Sequence, residues 1–102
     1  MTATPEIGNA ARGEATAILA GQSRRLCLTL GALAEIEGGL GLEGVGALAE
    51  RMPRLSAGDL MLVLAALLRG GGEAEFACTL ATAPVSAREA AEAVAAAFAA
   101  AA

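Results

Sequence analysis

The sequence predicts an α+β fold: an N-terminal β-hairpin followed by a small bundle of about four helices. Three observations predict it. Period-2 stretches flank a glycine turn near Gly21. The run from Arg25 to Gly41 then switches, almost without a linker, from strand to helix spacing. Beyond it, glycine and proline clusters cut the chain into segments, and serines stand where helices would begin.

The elements follow in order. Residues 1–13 are small and polar, carry Pro5, Gly8 and Gly13, and have no periodicity. They read as a flexible arm ahead of a single domain over residues 14–102. Glu14 to Ala20 forms a first strand with Ala15, Ala17 and Leu19 on one face, and Gly21, Gln22 and Ser23 supply the turn. Arg25 to Leu30 forms the second strand, in which Leu26, Leu28 and Leu30 alternate with Cys27 and Thr29. Ile18 and Cys27 share the opposite face, which is expected to be partly covered.

The Thr29 hydroxyl caps a first helix that carries Leu33, Ile36 and Leu40, and Gly38, Gly39 and Gly41 end it. Glu43 to Met52 forms a second helix, with Val45, Leu48, Ala49 and Met52 on one apolar face and Pro53 as its stop. Ser56 caps the third, with Asp59 at N3 and a Leu55–Leu60 hydrophobic staple. That helix runs to Arg69 and is apolar all round from Leu60 to Leu68, which predicts the central, most buried element. Gly70-Gly71-Gly72 then gives a flexible connection. Glu73 to Ala81 forms a short helix bearing Phe76 and Leu80, broken by Pro84. Ser86 and Glu89 make a capping box for a last helix anchored by Val94 and Phe98, whose polyalanine end is expected to fray.

Composition excludes several classes of function. The formal net charge is −4, and all seven basic residues are arginines, so a non-specific nucleic-acid binder is not expected. Arg24-Arg25 reads as a solvated hairpin end. There is no histidine and no lysine, which removes Ser-His-Asp chemistry for Ser23, Ser56 and Ser86. Cys27 and Cys78 form no C-x-x-C motif and read as core. Glu35 and Glu37 point to different sides of a helix, and Glu73 and Glu75 suit a helix start. Gly39, Gly41 and Gly44 have G-x-G-x-x-G spacing but follow a helix, and Gly70-Gly71-Gly72 lacks the rest of a P-loop. No catalytic, cofactor or metal site is expected, and the chain reads as a non-enzyme. The longest apolar run, Leu60 to Leu68, is too short for a membrane span, and no signal peptide is visible, which predicts a soluble cytoplasmic protein. Alanine buries little area per residue, so the domain stands to gain from association, including homo-oligomerisation.

What remains is apolar surface. Met52, Met61 and several leucines lie on predicted helices, where a leucine/methionine groove can receive a partner's apolar helix. Leu26-Cys27-Leu28-Thr29-Leu30-Gly31-Ala32-Leu33-Ala34-Glu35-Ile36-Glu37 resembles the L-x-L-T-L-G-A-L-A-E-L-E core of the gene transfer agent family of phage-like tail proteins. Ser56-Ala57-Gly58-Asp59-Leu60, Leu67-Leu68-Arg69-Gly70-Gly71-Gly72 and the alanine-rich end fit the same pattern, so the resemblance runs from Arg12 onward. The composition agrees with the alphaproteobacterial genomes in which such prophage-like clusters occur. That family is described both as tail tube protein and as tail assembly chaperone. A tube subunit needs many strands, and one hairpin is visible here, which favours the chaperone. The resemblance then implies transient binding to the tape-measure protein, with other tail proteins such as the tube as neighbours. Leu33, Ile36, Leu48 and Met52 are the expected partner contacts, on a groove across the first three helices. A structural tail component is the alternative. A small-ligand regulatory domain is a third, with no pocket chemistry in the sequence to support it.

Overall fold

The computed structural model describes residues 13–102, so the arm expected over residues 1–13 lies, but for Gly13, outside the described residues. Strands β1 (Glu14–Leu19) and β2 (Gln22–Cys27) pair antiparallel from Leu19↔Gln22 to Glu14↔Cys27. The turn is Ala20-Gly21, with φ of 54° and 79°. Positive φ at both central residues is the mark of a two-residue I′ turn, whose twist matches that of the flanking strands. The second strand therefore starts before its expected place, because Gln22 and Ser23 already pair in the ladder. It also ends earlier. The Thr29 hydroxyl accepts the Ala32 N–H at 3.0 Å, so Leu30 is the first helical residue and is 83% exposed. On the second face of the hairpin, Cys27 is buried while Ile18 is 64% exposed.

Helix α1 (Leu30–Leu40) passes through Gly38 and Gly39, which were expected to end it, and stops at left-handed Gly41, φ 69°. The Gly41 and Leu42 N–H groups both return to the Glu37 carbonyl. Gly39 belongs to packing rather than termination: a Cβ there would collide with Leu62 of the crossing helix. Helix α2 (Val45–Arg51) continues into a 3-10 turn, Met52–Arg54, that accommodates Pro53 at its start. Pro53 thus tightens and redirects the chain where a simple stop was expected. Of the predicted apolar face, Leu48 is buried but Ala49 is exposed.

Helix α3 (Ala57–Gly70) is capped by Ser56, whose Oγ accepts the Asp59 N–H at 3.1 Å. It buries Val63, Leu64, Ala66, Leu67 and Leu68 and touches α1, β2 and the two helices that follow it, which makes it the central element. Met61, on its outer side, is exposed. Helix α4 (Ala74–Ala77) is one turn, shorter than expected, and the chain continues as hydrogen-bonded turns in which Thr79 donates to the Phe76 carbonyl and Thr82 to the Thr79 carbonyl. Helix α5 (Ala87–Ala101) opens on the full Ser86–Glu89 capping box and packs on β1 and α3. Its core stripe is mostly alanine: Ala90, Ala93, Val94 and Ala97.

The segment expected to be a flexible connection is the tightest contact in the fold. A Cβ on Gly70 would collide with the Cys27 carbonyl oxygen, and one on Gly71 with the Arg25 carbonyl oxygen. The end of α3 therefore lies directly on the β2 backbone. Gly72 follows with φ 87°, its N–H bonded to the Arg69 carbonyl, while the Glu73 N–H reaches the Leu68 carbonyl at 2.8 Å. These are the two bonds of a Schellman closure. Glu73 then clasps the strand: its carboxylate accepts the Arg25 N–H at 3.0 Å and lies 3.8 Å from Arg24 Nη1. The Arg24 guanidinium sits 3.8 Å from the Phe76 ring centroid. Arg24 is thus a clamp between hairpin and α4 and does not solvate a free hairpin end. Cys27 is buried, as expected of a core residue; Cys78 is exposed, because the end of α4 turns it outward, and the two form no disulfide with each other.

Two glycine substitutions should move stability in opposite directions. Gly38 is helical with open space at its Cβ position, so Gly38→Ala should stabilise by about 0.5 kcal/mol. Gly70→Ala forces a backbone collision and should destabilise by about 1–3 kcal/mol or more. Urea unfolding monitored by circular dichroism reads both, and equal effects would sink this account of the α3–β2 contact.

Candidate partner-binding surface

The four expected contacts divide between core and surface. Ile36 and Leu48 are 0% and 1% exposed, so in this conformation their side chains face the core. Leu33 is half-buried against that core. Met52 is also half-buried, and it alone lines an open depression.

That depression lies between the 3-10 turn and α5. Met52, Pro53, Leu55 and Leu60 form one wall, and Ala91, Val94 and Ala95 the other, around about 440 Å³. A second depression of about 200 Å³ shares Leu60 and continues toward Met61, Leu80 and Val85. Together they make an apolar groove between the start of α3 and the start of α5. Leu55 and Leu60 serve it as well as the staple read from the sequence. Ala91 and Ala95 were missed, because alanine carries no hydrophobic-moment signal strong enough to separate a groove wall from helix filler. Met61, 42% exposed, stands at its edge.

One ion pair fixes the wall that contains Met52. Arg51 Nη2 donates to Asp59 Oδ2 at 2.8 Å, joining the end of α2 to the first turn of α3 across Pro53. The carboxyl of Asp59 is held below its ordinary value, first by the Arg51 hydrogen bond, with the Ser56 backbone and hydroxyl adding to it. Asp59 thus serves the helix start and also directs its carboxylate to Arg51. A comparable bridge ties α1 to α3, where Arg69 Nε and Nη2 donate to Glu35 Oε1 at 2.9 and 2.6 Å. Among the described residues no group of three or more His, Cys, Asp or Glu side chains is placed to hold a metal ion. Nor is any described helix long and apolar enough to cross a membrane.

Comparison with protein-family models gives one decisive finding. The model described as phage tail tube protein, GTA-gp10, matches residues 12–102. The chain belongs to that family. No curated protein and no solved structure matches it significantly. The matched range covers every described element, so hairpin, helices and groove all lie inside the GTA-gp10 family region.

The acidic residues of α5 in this phage tail family member line a separate depression and not the groove. Glu89 and Glu92 lie on the other side of α5, beside Ile18 and the hairpin. Arg54 is flanked by the groove residues Pro53 and Leu55, and Arg88 stands one turn before Ala91 and two before Ala95.

The Arg51–Asp59 pair has a defined pH signature. A folded-state pKa below 3.8 means that Asp59 contributes stability that is fully present above that value. The contribution is lost as pH falls through the depressed folded value. Asp59→Asn should therefore lower stability at neutral pH, with the gap to the parent closing as the solution is acidified below pH 3.8. Denaturant titrations across that range check it; a gap independent of pH would show that Asp59 acts through something other than its charge.

Proposed function

We propose that this chain is a tail assembly chaperone of the phage-like particle, binding apolar helical segments of the tape-measure protein before the tube closes around them. It works by binding and does not catalyse a reaction. The observation that carries this reading is the open apolar groove between α3 and α5, on a chain whose described sheet is one hairpin. A long apolar helix is aggregation-prone until its partners assemble, and a groove lined by Leu, Met and Ala gives it temporary cover. Tube walls of phage-like tails are built from extensive closed sheets, for which two strands are a poor starting point. The absence of histidine and lysine from the sequence agrees with a binding role.

The family description, phage tail tube protein, favours the second reading, a structural component that stays in the particle. Mass spectrometry of purified particles separates the two. A chaperone should be absent or nearly so, whereas a tube subunit should be present in many copies.

Co-expression with the neighbouring tape-measure gene should raise the soluble fraction of the tape-measure protein and recover a complex. Met61→Asp should weaken that complex without unfolding the chain, because its side chain is exposed. An unchanged solubility and no complex would overturn the chaperone reading.

A further inference from the structure

The hairpin has two edges, and the fold covers only one of them. Along β2, Glu73 accepts the Arg25 N–H, and the Arg25 and Cys27 carbonyls lie against Gly71 and Gly70. These contacts fix the phase of the ladder. Arg25 is opposite Thr16 and Ser23 is opposite Ile18, in pairs whose backbone N–H and C=O groups point away from each other. The same groups of Thr16 and Ile18 therefore point outward from β1. Among the described residues none of them has a hydrogen-bond partner. Both residues are exposed, and Ile18 keeps 64% of its surface in solvent. An edge with unpaired backbone groups is a template for another strand.

That edge has its own cleft. A depression of about 350 Å³ runs between Thr16 and Ile18 on the strand and Glu89, Glu92, Ala93 and Ala96 on α5. Glu89 accepts the Ser86 N–H, and Glu92 has no partner among the described residues. Neither carboxylate has a cation beside it there. We propose that the β1 edge docks an extended, basic segment of a partner protein, which adds to the hairpin as a third strand with its cations beside Glu89 and Glu92. Backbone pairing gives affinity to any extended chain, so side chains must choose among them. Ala93 and Ala96 are small and leave the strand room over the helix. The carboxylates select the sign, attracting Lys or Arg and repelling Asp or Glu. A second copy offering the same edge would bring its own Glu89 and Glu92 to the cleft, and like charges oppose that pairing. The proposal does not rest on the chaperone reading, because the α3–α5 groove opens on the other side of α5.

The test uses the full chain and two labelled synthetic peptides that alternate valine with a charged residue, lysine in one and glutamate in its twin. Fluorescence anisotropy at low salt should show the lysine peptide binding about tenfold tighter or more, an advantage that shrinks as salt is added. Glu89→Gln combined with Glu92→Gln should remove that advantage, and glutamine at position 89 can still accept the Ser86 N–H. Hydrogen exchange read by NMR reports the pairing itself. The Thr16 and Ile18 amides should exchange quickly in the free chain and slow about tenfold or more when the lysine peptide saturates it. Equal binding of the twins, binding of neither, or binding that leaves both amides unprotected overturns the proposal. So does protection of those amides in the free chain: at all concentrations it would mean that the chain covers its own edge, and only at high concentration that a second copy does. Each of these outcomes leaves the α3–α5 groove to its own test.

Discussion

The fold depends on a contact made by atoms that are not there. The last turn of α3 approaches β2 so closely that Gly70 and Gly71 have no room for a Cβ against the Cys27 and Arg25 carbonyls. Because α3 also touches α1, α4 and α5, this one approach fixes the distance between hairpin and bundle. The Schellman closure at Gly72 then turns the chain so that Glu73 meets the Arg25 N–H and Arg24, and Phe76 lies under the Arg24 guanidinium. Each of these contacts is modest by itself. They reinforce one another because the backbone approach has already paid the orientational cost of bringing them together.

Much of the fold was legible because its signals are local. Thr29, Ser56 and Ser86 accept from backbone N–H groups three residues ahead, so their roles can be read from a few consecutive residues. The errors concern residues whose meaning is set at a distance. Gly70 and Gly71 look like a linker until β2 lies on them, and Gly39 looks like a stop until Leu62 crosses it. Ala20 gives no sign that it will adopt φ 54°, since alanine is not a turn residue by type. Arg24 looks solvated because nothing nearby in sequence announces Phe76 and Glu73 as its partners. The candidate site follows the same division. Helical spacing identified Met52 and Met61 as apolar, but which apolar residues close the core and which line the groove depends on how α5 docks. Ile36 and Leu48 went inward, and Ala91 and Ala95 became a wall.

The groove is where family membership meets the recognition proposed above. Membership of the phage tail tube protein, GTA-gp10, family gives the biological setting. The geometry contributes a surface of Leu, Met, Pro and Ala between two capped helix starts, with Arg51–Asp59 holding one wall in place. On α5 the acidic Glu89 and Glu92 lie toward the hairpin, while Ala91, Val94 and Ala95 line the groove, so a single helix serves two environments.

The alanine stripe of α5 has a mechanical consequence. Leucines and Val63 embed α3 deeply, while α5 holds its place mainly through Ala90, Ala93 and Ala97, with Val94 as the one larger fully buried anchor. Side chains that bury less area resist displacement less. The two walls of the groove are therefore unequal: α3 is the anvil, and α5 is the compliant jaw. Any segment too wide for the gap meets its least resistance by pushing α5 outward along its smooth alanine face, leaving the α3–β2 contact undisturbed.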